Sequence, residues 1–297
     1  VKFLPALLKS RHTSRLQEWR DRGRSYKIKG YQIFTIHRPI EDKPHIVFLH
    51  GFPTCSYDFY QVLTLLGSDV GYTVHDHLGF GLSSKPEKHN YSLIEQAKIA
   101  LELWQNLDIR SAHVVAHDYG TSVATELLAQ KQDGFEPVEL RSMVLSNGSI
   151  LIDQSHLRQI QKLLRNRWTG PITAYLANFH TFRHNLNQLA SQRISDLDMS
   201  VLWSLLISKN GKMRIPAISK YLDERQIFKD RWVGAFKDTS VQITLLWGEK
   251  DPIAHRQMVL SLQKERTSCD IHWLPCGHYP MLEVAGQYTQ IINRLVF

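Results

Sequence analysis

The sequence predicts an α/β protein, a mostly parallel eight-stranded sheet flanked by helices with a helical insertion. Three observations carry that expectation. Short apolar segments alternate with helical patterns at intervals of about 30 residues, the length of a βαβ unit with its right-handed crossover. Several of these segments are apolar without interruption, as strands buried on both faces are. Between residues 151 and 238 the strand signals stop and only helical stretches and turns remain. With 297 residues, 43% hydrophobic and 22% charged, the chain is long enough to bury a large core.

The elements follow in order. Ser25–Lys29 and Tyr31–His37 alternate about Gly30 and read as a hairpin. His45–Leu49 is a buried strand ending in the irregular His50-Gly51-Phe52-Pro53 loop, and a helix is expected over Tyr57–Leu66. Tyr72–His75 is a strand running into a turn-rich loop through Pro86, and Ser92 with Glu95 has the capping-box spacing for a helix to Leu107. A strand ending at Asp118 passes directly into a helix, and Ser142–Leu145 is the next strand. After the insertion, strands resume at Gln242–Trp247 and Ile271–Leu274, and an amphipathic helix closes the chain over Val284–Phe297. The organisation is therefore a basic N-terminal segment (1–24), a core (25–150 and 239–297) and a helical cap (151–238).

Composition narrows the function classes. Of the formal charge of +8, residues 1–30 alone contribute +7, so the rest of the chain is nearly neutral and a basic nucleic-acid groove is disfavoured. That segment also carries Phe3, Leu4, Leu7, Leu8 and Trp19. It reads either as a helix packed on the domain or as a peripheral, membrane-touching helix. Three cysteines, Cys55, Cys269 and Cys276, are too few for a disulfide framework and point to a reducing, cytoplasmic setting. No apolar run is long enough to span a bilayer, and no secretory leader is recognisable.

The chemistry centres on Val114-Val115-Ala116-His117-Asp118-Tyr119-Gly120-Thr121-Ser122. Small residues two before and two after Asp118 give the spacing of a nucleophile elbow, a strand-to-helix turn so sharp that larger flanking side chains would collide. Here the projected residue is a carboxylate. Two helpers follow in the expected order, each just past a strand. Asp251 lies in Gly248-Glu249-Lys250-Asp251-Pro252, and His278 in Pro275-Cys276-Gly277-His278-Tyr279-Pro280. Open parallel sheets collect their ligands at the carboxyl ends of the strands, where Asp118, Asp251, His278 and the His50 loop would converge. Taken singly, Asp118 could be a helix N-cap, Asp251 a turn residue and His278 a loop histidine. Their joint order favours catalysis. His75-Asp76-His77 fits a structural turn better than a metal site, and no metal or cofactor is expected.

With these motifs the chain resembles the epoxide hydrolase and haloalkane dehalogenase branch of the α/β-hydrolases, over about residues 25–297. The Tyr119 elbow, Leu145-Ser146-Asn147-Gly148 and Arg231-Trp232-Val233-Gly234-Ala235 resemble the mesoderm-specific transcript group in particular. The resemblance implies that Asp118 attacks an electrophilic sp³ carbon and forms an alkyl ester. His278, oriented by Asp251, would then activate water against that ester. It further implies an oxyanion hole from the backbone N–H groups of Phe52 and Tyr119, and a cis peptide before Pro53 in a loop organised by His50 and Gly51.

For the substrate, haloalkane dehalogenases typically hold halide with Asn and Trp, where this chain has Phe52 and Tyr119. Fluoroacetate dehalogenases place Arg after the nucleophile, where this chain has Tyr119 and Ser122. Epoxide hydrolases use two cap tyrosines, for which Tyr175 and Tyr221 stand by position only; Val233 occupies the place of the second family Tyr. Trp203 and Trp232 are candidate pocket walls or cap core. The expected partner is a small apolar electrophile with water, its reaction epoxide opening. Dehalogenation, hydrolysis of an unusual ester, and a non-catalytic cap-gated binding protein remain the alternatives.

Overall fold

The computed structural model describes residues 6–296. Phe3 and Leu4 of the basic segment lie outside the described residues. Strands β1 (Arg24–Ile28) and β2 (Tyr31–Arg38) pair antiparallel across Lys29 and Gly30, both at positive φ, as a two-residue hairpin turn with right-handed twist requires. Strands β3 (His45–Leu49), β4 (Gly71–His75), β5 (Ser111–His117), β6 (Glu139–Ser146), β7 (Gln242–Gly248) and β8 (Asp270–Leu274) complete one sheet. Its order is β1-β2-β4-β3-β5-β6-β7-β8, with β2 and β4 antiparallel and every later pair parallel.

The continuous apolar runs have a direct cause. In β3, Val47 and Leu49 enter the core on one face of the sheet, while Ile46 and Phe48 enter the core on the other. The first face is covered by α3 (Leu93–Asn106), α4 (Tyr119–Gln132) and α12 (Arg256–Glu265). The second is covered by α1 (Ala6–Asp21), α2 (Tyr60–Leu65) and α14 (Ala285–Val296). Helix α1 is an integral part of that layer. Its Trp19 is fully buried, edge-on to Tyr57 at 5.3 Å between ring centroids, and His12 Nε2 meets Ser204 Oγ at 2.9 Å. Trp19 is thereby removed from any membrane-touching face.

Between β6 and β7 lie only helices among the described residues: α5 (Gln159–Arg165), α6 (Thr169–Leu176), α7 (Phe179–Asn187), α8 (Asp196–Ile207), α9 (Ile215–Ile218), α10 (Tyr221–Ile227) and α11 (Lys229–Asp238). They form the cap. The buried Lys85 ammonium ties it to the core loop after β4 by donating to the carbonyls of Leu205 (3.3 Å) and Ser208 (2.8 Å) at the end of α8. There burial pushes the Lys85 pKa down to about 8.

Three local expectations differ from the structure. The helix expected from Tyr57 begins as a 3₁₀ turn over Ser56–Phe59, and the closing helix breaks at Val284 into α13 (Pro280–Glu283) and α14. At α3 the Ser92 side chain makes no cap hydrogen bond and meets Glu224 instead, while Glu95 is engaged by His89 at 2.6 Å. A cap residue takes over, Glu224 Oε2 accepting the Leu93 N–H at 2.6 Å.

Candidate active site

The elbow forms where the sequence places it. Asp118 follows β5 directly at φ +42°, ψ −104°, and α4 begins at the next residue. Glycine at 120 is required by close approach, since a Cβ there would stand 2.3 Å from the Leu49 carbonyl oxygen. The Asp118 carbonyl accepts from Thr121 N–H at 3.1 Å and its own N–H donates to Ser146 O at 3.1 Å, so the strained turn is held on both sides.

The helpers converge on it. His278 Nδ1 lies 2.7 Å from Asp251 Oδ2, and both side chains are buried. Asp251 also accepts Ile253 N–H at 2.7 Å, Ala254 N–H at 3.1 Å and the Asn147 side-chain amide at 2.7 Å. Burial alone would raise the Asp251 pKa, but His278 and these donors hold it below the usual carboxylate range. For His278 burial alone would lower the pKa; the charge and hydrogen bond of Asp251, with the charge of Asp118, push it up to about 9. The carbonyl of His278 accepts from His117 Nε2 at 2.8 Å, which fixes the backbone carrying the imidazole.

The loop after β3 supplies the opposite wall. Phe52 N–H donates to Asp118 Oδ2 at 3.0 Å, and the Phe52–Pro53 peptide is cis. His50 Nε2 accepts the His77 N–H at 3.0 Å, so the proton is on Nδ1, which donates to Gly51 O at 2.9 Å. Burial drops the His50 pKa to about 4, so the ring is a neutral brace. A Cβ on Gly51 would come within 2.6 Å of His117 Nδ1. The Tyr119 N–H, first of α4, makes no hydrogen bond to the Asp118 carboxylate among the described residues; the carboxylate is turned toward Phe52. Asp76, between His75 and His77, accepts from Ser56 N–H at 2.9 Å and Leu82 N–H at 2.6 Å, joining two loops. Among the described residues no group of three or more His, Cys, Asp or Glu side chains is arranged to hold a metal.

A cavity of about 370 Å³ opens between core and cap, with Asp118 and His278 at its floor. Its walls are mostly apolar, with Leu164, Phe182, Leu186, Trp203, Leu206 and Ile215 from the cap. Trp203 is thus a wall residue. Tyr221 is buried behind the cavity wall without lining it, its ring 5.4 Å from Phe52 and 5.2 Å from Tyr119, and its hydroxyl meets the cavity-lining Gln161.

Two expected substrate residues are corrected. Tyr175 is 70% exposed on the outer surface of α6, because that helix turns Ala174 inward instead. Trp232 does not line the cavity; its indole N–H donates to the buried Glu126 at 2.7 Å, locking α11 to α4.

Two residues of the site escaped the sequence reading. Asn147, at φ +45°, bridges strands by donating to Asp251 and accepting Gly248 N–H at 3.1 Å. Arg225, on cap helix α10, is buried against the elbow: Nε donates to Ser122 Oγ at 2.7 Å and Nη2 to the Asp118 carbonyl at 2.9 Å, with Asp118 Oδ1 at 3.5 Å. Its guanidinium lies 4.6 Å over the Tyr221 ring. Asn147 lies inside the Leu145-Ser146-Asn147-Gly148 strand end, so the sequence carries a local signal for it. Arg225 is 107 residues from Asp118 and had no local one.

This topology, with a carboxylate elbow and acid–histidine pair past successive parallel strands, is that of an α/β-hydrolase, and the α/β hydrolase fold family model matches residues 44–285. The chain belongs to that family. It is 38% identical over 285 residues to LipZ of Mycobacterium tuberculosis, covering 95% of this chain and 98% of that protein. It is 34% identical over 282 residues to the mesoderm-specific transcript protein of Mus musculus, covering 90% and 84% respectively. A loop variant of haloalkane dehalogenase DbeA from Bradyrhizobium elkanii shares the fold, with a TM-score of 0.77 and 19% identity over 92% of this chain and 95% of that one.

Proposed function

We propose that this chain hydrolyses epoxides to diols through a covalent ester on Asp118. The observation that carries the reading is the Asp118 carboxylate at the elbow, one oxygen on the Phe52 N–H and the other facing Arg225, beside the His278–Asp251 pair. An Asp oxygen attacks the epoxide carbon, the ring C–O bond breaks, and the alkoxide takes a proton from Tyr221, whose burial holds its hydroxyl protonated. Forming the ester removes the Asp118 charge, one of the causes that keep the His278 pKa high. The imidazole then releases its proton to solvent more readily, to regain it once the Asp118 carboxylate is free again, and becomes a base at the step that needs one.

Water gives a proton to His278 and attacks the Asp118 ester carbonyl. The Phe52 N–H, already 3.0 Å from Oδ2, meets the oxyanion, and such a donor lowers the barrier by about 3–4 kcal/mol. Collapse breaks the ester C–O bond, the diol oxygen takes the proton from His278, and the water's second proton returns through solvent to Tyr221. One epoxide and one water become one diol. The apolar walls suit a lipophilic substrate, and names of more distant relatives, among them an epoxide hydrolase of Caenorhabditis elegans at 32% identity over 110 residues, agree with this chemistry.

The test is the intact mass of His278→Gln after exposure to mixed epoxides and organohalides. Without its base the enzyme should retain the ester, and a gain equal to the whole epoxide, mapped to Asp118, is expected. A gain of the alkyl group without halogen makes the protein a dehalogenase. No adduct across a broad panel overturns ester chemistry in favour of a cap-gated binding protein.

A further inference from the structure

The outer face of the cap is unlike the rest of the surface. Trp168, the N-cap of α6, and Ile172, Tyr175 and Leu176 within the helix follow one another at helical spacing, each 62–71% exposed, and Leu163 of the neighbouring α5 is exposed as well. Large apolar side chains clustered in the open mark an interaction surface. The patch borders the cavity, because Leu176 itself, with Leu164, Thr173 and Ala177, lines it.

Within the stretch of sequence that carries this face, from Gln154 to Ser195, Asp and Glu are absent, while Arg158, Lys162, Arg165, Arg167, Arg183 and Arg193 are present. Arg183 and Arg193 are engaged by Asp196, and Arg165 by Asp223. Lys162 and Arg167 are exposed, and the Arg167 guanidinium lies 4.6 Å over the Trp168 ring. Lys212, whose ammonium takes the carbonyls of Tyr175 (2.8 Å) and Ala177 (3.2 Å), stands at the α6 end of the patch.

From this apolar face rimmed by cations, with Trp and Tyr between, we infer that the α5–α6 face of the cap docks on an anionic lipid bilayer. The aromatic and aliphatic side chains enter the headgroup boundary while Lys162, Arg167 and Lys212 meet lipid phosphates. The surface is distinct from the basic segment at residues 1–30. It also bears on substrate: resting on the hydrolase reading above, the cavity mouth would take lipophilic epoxides already dissolved in the bilayer.

The experiment is flotation of the full chain with phosphatidylcholine vesicles, with and without about one-third phosphatidylserine. Binding at least about tenfold stronger to the anionic vesicles is expected. The triple variant Trp168→Ser, Ile172→Ser, Tyr175→Ser and the double variant Lys162→Glu, Arg167→Glu should each lose most of it, with unfolding midpoints unchanged because the altered side chains are exposed. Equal binding by the wild type and both variants overturns the proposal and assigns lipid contact to residues 1–30. Absence of binding together with a dimer that the triple variant dissociates overturns it in favour of a second copy of the chain. Vesicle binding is read without turnover. A protein that floats but forms no ester on Asp118 keeps the docking surface and loses the hydrolase reading.

Discussion

Arg225 places a cap side chain on the backbone of Asp118. Its guanidinium satisfies Ser122 Oγ and the Asp118 carbonyl at once and remains within 3.5 Å of the carboxylate, in surroundings where water cannot substitute. Removing one partner of a buried pair leaves an uncompensated charge, typically at a cost of about 3–5 kcal/mol. Arg225→Met should therefore lower unfolding stability by about that amount in urea titrations and slow ester formation on Asp118. Arg225→Lys should recover little of either, because a single ammonium cannot reproduce the fork that serves Nε and Nη2 contacts together. A variant with wild-type stability would mean the contact carries no net energy.

At the scale of elements, the site is where the ends of β3, β5, β6, β7 and β8 meet the cap helices. The elbow tolerates no added bulk, since the atom facing Gly120 is backbone and cannot rotate away. Gly120→Ala should destabilise the protein by about 1–3 kcal/mol and depress turnover further than stability alone explains, because the strand-to-helix turn must open to admit the methyl. The α11–α4 contact is different in kind. Trp232→Phe strands Glu126 of one donor and should cost about 1–3 kcal/mol, yet leave KM for any cavity substrate unchanged, since the indole lies outside the cavity. A raised KM with unaltered stability would return Trp232 to the substrate wall.

For the whole molecule the buried histidines set the pH range of stability. Burial lowers the pKa of His50 and His117 to about 4 and of His75 to about 3, and lowers that of His77 well below its ordinary value. An unfolded chain binds protons at these residues near pH 6.5 while the folded one does not. Their contribution is present above about 6.5 and is lost as pH falls, each by about 1.4 kcal/mol per pH unit until its folded pKa is reached. His278 works in the opposite sense. Its folded pKa is raised to about 9, so its pairing with Asp251 is fully present below about 6.5 and lost as pH rises through 9. Denaturant titrations from pH 4 to 10 should give a stability maximum near neutrality with a steep acid side. His278→Gln should keep the acid side while its deficit against wild type shrinks by about 3 kcal/mol between pH 6.5 and pH 10. An unchanged deficit would contradict the raised pKa.

The sequence by itself determined the parallel sheet, the sharp turn at Asp118 and the strand ends at which Asp251 and His278 stand. Each is written locally, in apolar runs, in the small residues flanking Asp118 and in turns just past strands, and parallel topology brings strand ends together without further instruction. Tertiary structure alone decided which cap side chains face Asp118. Helices as short as α6, α9 and α10 have too few turns for periodicity to fix an inward face, so Tyr175 and Tyr221 read alike in sequence and part company only on packing. The same holds for Arg225, Glu224 and Trp232, whose partners Asp118, Leu93 and Glu126 are more than a hundred residues away. A buried charge or indole N–H takes whatever partner the packed cap brings within reach, and one-dimensional spacing does not encode that distance.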